Sequence, residues 1–212
     1  MNRYSLPQIG LAVPLRVEGE ITILRVVDGV PVVFLIDEHH ETPACIDQNI
    51  LNALIIIPRA GIDLVGVEGF EGGFRYDDFQ GDYTQDYIDG DLDPAKQIGT
   101  HPEFANAIKE DGRKVVGVDC RGLDSEIVSQ IATGEYAGEV KDHPNQKRRS
   151  EHMIKTLFRE RARLMCPGAM ILNAGRHHID DLKVWIDDNT IDGRTGTSAA
   201  YILVRAAAYP NP

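Results

Sequence analysis

Four short, almost wholly apolar runs, each closing on acidic, imidazole or guanidinium residues, constrain this chain more than any other feature. Val30 to Ile36 runs into Glu38, His39 and His40. Ile62 to Val67 runs into Glu68. Lys114 to Val118 runs into Asp119, Cys120 and Arg121, and Ala169 to Leu172 leads to His177 and His178. Runs of this kind read as strands buried on both faces, which a sheet achieves when helices cover each side. The intervening segments supply those helices. Thr42-Pro43 is an N-cap followed by proline at the first helical position, and predicts a helix to about Ile57 that stops at Pro58. Further helices are expected over 123–132, 145–165 and 179–186, with a last strand over 201–204. Strands alternating with helices predict an α/β fold, a layered sheet of mostly parallel strands flanked by helices.

Two β-rich runs, 21–27 and 30–36, are separated by Asp28-Gly29. That spacing predicts an N-terminal hairpin. Residues 71–93 hold eight acidic residues and five aromatics but no clear helical or strand period. They read as an acidic loop insertion, plainly as a solvated loop, more sharply as a lid over a pocket. The acids lack the spacing of a calcium-binding EF-hand loop. At 212 residues the chain is expected to form a single domain, 1–212.

Charge narrows the partners. Lys and Arg number 22 against 33 Asp and Glu, a net charge of −11. Phosphate affinity comes mainly from counterion release by basic residues, so neither nucleic acid nor an anionic membrane is an expected partner. A small-molecule or peptide substrate is, and assembly into a homo-oligomer is left open. No signal peptide, lipid-attachment cysteine or transmembrane run is read. Cys45, Cys120 and Cys166 are odd in number and lack Cys-x-x-Cys spacing, so three reduced thiols in a cytoplasmic protein are expected.

Ligands in open α/β sheets bind beyond the carboxyl ends of the strands, where all four runs deliver their polar residues. Histidine there can act as base or metal ligand, glutamate as base or ligand, and arginine can hold an oxyanion. His39 and His40 are adjacent, so in an extended segment only one of them faces a site, and the same choice arises for His177 and His178. His101, His143 and His152 have no such setting and read as surface residues. Arg149 shares one helix face with Met153 and Leu157, an inward position where a charge needs a partner. Cys120 just past a strand has the position of a nucleophile, but no motif pairs it with a histidine.

The order of these motifs resembles the superfamily of erythromycin esterases, ChaN haem-uptake lipoproteins and TraB/TIKI proteins. Asp37-Glu38-His39-His40 is similar to its Gly-Glu-x-His motif, with Asp37 in place of the glycine. VGVEG supplies the strand ending in Glu68, Arg149 and Met153 match Arg-x-x-x-Met, and ILNAGRHH matches Gly-x-x-His. The resemblance implies a pocket built by Glu38, His40, Glu68, Arg149 and either His177 or His178. It implies hydrolysis of an ester or amide bond. In the manner of the erythromycin esterases, His40 would be the general base, oriented by Glu68 or Glu38, with Arg149 or the second histidine steadying the oxyanion. In the manner of TIKI, His40, Glu68 and His178 would hold a divalent metal, zinc, manganese or cobalt. The ChaN branch implies instead a haem-binding protein, and the Asp37 departure fits a regulatory domain with a vestigial site.

Overall fold

A computed structural model describes residues 2–7, 11–71, 103–187 and 199–210. Strand β1 (Asn2–Leu6) pairs antiparallel with β2 (Leu11–Val17). The main sheet contains β3 (Gly19–Arg25), β4 (Val32–Glu38), β5 (Ile62–Glu71), β6 (Lys114–Asp119), β7 (Ala169–Gly175) and β8 (Ala200–Ala206). Its order is β3-β8-β4-β7-β5-β6. All pairings are parallel except β3 with β8. The helices are α1 (Pro43–Ala60), α2 (Glu103–Glu110), α3 (Arg121–Ala132), α4 (Pro144–Arg163) and α5 (Arg176–Asp187). The expected α/β architecture of mostly parallel strands flanked by helices is therefore present.

Alternation along the strands divides the core in two. Phe34 and Ile36 of β4 pack with Ile56 and Ile57 of α1 and Phe104 and Ile108 of α2. Val33 and Leu35 pack on the opposite face with Met153 and Leu157 of α4 and Ile179 and Leu182 of α5. A sheet covered on both faces is what lets its strands be apolar throughout. Gly66 permits close approach on the second face, since a Cβ there would lie 2.8 Å from Val118 and 2.9 Å from Leu157.

The N-terminal hairpin is present, but β1 and β2 form it, not 21–36. Asp28-Gly29 does turn the chain, with Gly29 at φ 71°. The two strands it joins do not pair, because β8 lies between them. A turn sequence specifies a local reversal, whereas a strand arriving about 170 residues later takes the central position. Helix α1 also runs through Pro58 to Ala60, ending on Gly61 in the left-handed conformation with its N–H donating to Ile57 O. Proline so close to the end removes only one ladder bond. His143 is not a surface residue: it is 2% exposed and caps α4, its ring accepting from Asn145 N. His101 and nearly all of the 71–93 acidic segment, with its lid reading, lie outside the described residues.

Among the described residues, no helix is long and apolar enough to cross a membrane. Cys45, Cys120 and Cys166 are all free.

Candidate active site

The carboxyl ends of β4, β5 and β7 open onto a cavity of about 340 Å³ lined by Glu38, His40, Glu68, Gln146, His177 and His178, among others. Strand alternation sends Glu38 toward the α1 side, where its Oε2 accepts from Asn173 Nδ2 of β7 at 2.8 Å. Glu68 falls on the opposite face, beneath α4 and α5. His40 bridges the two over the strand ends: its Nδ1 lies 3.0 Å from Glu38 Oε1 and its Nε2 3.4 Å from Glu68 Oε2. Gly175 makes this possible, since a Cβ there would stand 2.8 Å from His40 Nε2 and 3.3 Å from Glu68 Oε2. Its N–H donates to Glu68 Oε2 at 2.5 Å.

Burial pulls the His40 imidazolium down, but the hydrogen bonds and charges of Glu38 and Glu68 outweigh it and push its pKa up to about 10. Burial likewise raises Glu68, and His178 and His40 overcome that, holding its carboxyl well below the usual range. At neutral pH, His40 is thus a cation between two carboxylates.

His178 is held differently. Its Nδ1 lies 2.8 Å from Ser150 Oγ. Ser150 has two acceptors for its one proton, Asp181 Oδ2 at 2.8 Å and Gln146 O at 3.0 Å, so its oxygen accepts from His178 Nδ1–H. Arg149 Nη1 donates to Gln146 Oε1 at 3.2 Å, which turns the Gln146 amide nitrogen toward His178 Nε2, 3.1 Å away. Glu68 Oε1 lies 3.2 Å from the same nitrogen. Gln146 therefore satisfies Nε2 when it is bare, and Glu68 satisfies it when it carries a proton.

Glu38, His40, Glu68 and His178 lie together at this cavity. His178, 2% exposed, faces the cavity wall, while His177 is exposed at its mouth. His39 also lines the cavity, but its ring is engaged elsewhere, hydrogen-bonded to Thr42 Oγ1 and edge-on to Tyr209. Arg149 stands behind the wall. Its Nε and Nη2 bond to Asp119 at 3.0 and 2.7 Å, and its Nη1 lies 3.0 Å from Asp124. An inward guanidinium took the nearest buried carboxylate, and it acts on the site through Gln146. Asp37 likewise faces away, paired with Arg205 at 2.7 Å.

The sequence reading missed Gln146, Ser150, Asn173 and Asp181. The signal was present for two of them: Gln146, Arg149, Ser150 and Met153 lie on one helical stripe, so polar residues continue the inward face toward the strand ends. Asn173 and Asp181 have no such mark.

Two imidazoles and a carboxylate are suitable donors for zinc. Yet His40 and His178 address different oxygens of Glu68, and among the described residues no three His, Cys, Asp or Glu side chains are arranged to hold a metal ion. No protein-family model, curated protein or solved structure matches the chain.

Proposed function

We propose that this protein is a hydrolase of ester or amide bonds in which two histidines divide acid and base work. The observation that carries this reading is the unequal setting of the two rings around Glu68. His40 is held as a cation by two carboxylates. His178 has Nδ1–H committed to Ser150 and Nε2 between a donor and an acceptor. Two titratable groups set in unequal surroundings can divide acid and base roles.

In this reading, water enters between Glu68 and the substrate carbonyl. His178 Nε2 takes a proton from the water as its oxygen attacks the carbonyl carbon, and Glu68 stabilises the resulting imidazolium. The carbonyl oxygen becomes an oxyanion facing His40 Nε2–H, whose 3.4 Å contact with Glu68 is weak enough to exchange. Collapse breaks the bond to the leaving group, which receives the proton from His178. His40 is thus the oxyanion donor and His178 the base, the reverse of the order implied by the resemblance.

The test is hydrolysis of a panel of aryl esters and lactones by the wild type, His178→Asn and His40→Asn. Each substitution is expected to lower kcat by about 10²-fold or more, the scale of one acid–base group, with circular dichroism unchanged. Equal turnover in all three proteins overturns the assignment. Turnover that appears only on adding Zn²⁺, Mn²⁺ or Co²⁺ places the site in metal chemistry, and a Soret shift on haem titration makes it a tetrapyrrole site.

A further inference from the structure

A second cavity, of about 370 Å³, lies against the first. Arg176, the first residue of α5, lines both. The second cavity is otherwise walled by Asn2, Glu20, Arg205 and Tyr209, among others. Arg205 is fixed in place: Nε and Nη2 both bond to Asp37 Oδ2, at 2.8 and 2.7 Å, and its guanidinium carbon lies 5.0 Å above the Tyr209 ring. Nη1 has no hydrogen-bond partner among the described residues. The Tyr209 hydroxyl, in a residue only 9% exposed, is turned to the Asp37 carboxylate, which accepts its hydrogen bond.

The two arginines differ in what they can offer. The charge of Arg205 is met by Asp37. Arg176 has one contact among the described residues, Asp180 at 3.6 Å, and both side chains are more than 40% exposed. A contact of that kind is readily exchanged for an oxyanion. The Arg176 fork and the Nη1 of Arg205 are donors that suit a planar or tetrahedral oxyanion. The amino end of α5 adds partial positive charge to the same wall. Glu20 at the rim opposes a second negative charge, which limits the ligand to one anionic group on this side.

We propose that the second cavity receives an anionic group, a carboxylate or phosphate, of the same substrate whose carbonyl occupies the first, and that Arg176 reads it. This inference rests on the hydrolase reading for the identity of the other end. The substrate class is then an acyl compound with its reacting carbonyl and a terminal anion on either side of Arg176.

The test pairs a binding measurement with a kinetic one. Adipate, inorganic phosphate and neutral adipamide are titrated calorimetrically into the wild type and Arg176→Gln. Hydrolysis of mono-4-nitrophenyl adipate is compared with that of 4-nitrophenyl hexanoate. The wild type is expected to bind adipate or phosphate but not adipamide, and to prefer the anionic ester at least 10-fold in kcat/KM, through KM. In Arg176→Gln, binding is lost and the ratio falls to about 1, while Arg176→Lys restores part of it. Adipate and phosphate identify which anion is read. A wild type that binds neither anion, or a preference that survives Arg176→Gln, overturns the inference. If neither ester is turned over but anion binding is lost in Arg176→Gln, the inference stands and the hydrolase reading falls.

Discussion

The backbone N–H of Gly175 donates to Glu68 Oε2 at 2.5 Å, tying the end of β7 to the end of β5 at the floor of the cavity. The same glycine lets His40 lie flat over that bond.

Gly175→Ala is the sharpest steric test. The added methyl would meet His40 Nε2 at 2.8 Å, so the ring must move away from Glu68. Overpacking of this kind costs about 1–3 kcal/mol. The expected outcome is a folded protein with activity down at least 10-fold, measured by ester hydrolysis beside a thermal melt.

Stability should fall on the alkaline side through His40. Its folded pKa of about 10 is above the 6.5 of the free side chain, so its contribution is complete below pH 6.5 and lost as pH rises to about 10. Glu68 has the opposite sign: its contribution is present above 4.5 and lost as pH falls through its depressed folded value. Thermal melts from pH 5 to 10 should show the wild type losing more than His40→Gln across that range. Parallel curves would refute the ion-pair account.

Arg149→Met leaves Asp119, which is fully buried, without its bidentate partner. Removing one member of such a pair costs about 3–5 kcal/mol. Denaturant unfolding should show this loss, and Arg149→Met combined with Asp119→Leu should recover part of it. Arg149 is a positioning residue, so the double variant should refold well yet hydrolyse slowly, because nothing orients Gln146.

Gln146→Leu removes the donor that holds His178 Nε2 in place opposite Glu68. kcat/KM should fall by about 10-fold, a fraction of what one acid–base group supplies, with circular dichroism unchanged. An unchanged kcat/KM would remove Gln146 from the support of His178 as base.

Within the chain, the local patterns were readable: apolar runs, the Thr42-Pro43 helix start, and the inward stripe that contains Arg149. Glu38, His40 and Glu68 were readable because strand ends collect at one edge of a parallel sheet. The His177 and His178 alternatives were resolved by α5, whose packing buries Ile179 and Leu182 and turns His178 inward with them.

The sequence by itself marked the six strands of the main sheet and four of the helices, because those follow from periodicity and local backbone chemistry; β1, β2 and α2 carried no such mark. Only the tertiary structure decided which strands are neighbours, and that placed β8 between the two runs expected to pair. It also decided the charge of His40 and the partner of Arg149. His40 is a cation because Glu38 and Glu68 flank it, and Arg149 is a support because Asp119 reached it first. Protonation and partner choice depend on distances between segments remote in the chain, which no local pattern encodes.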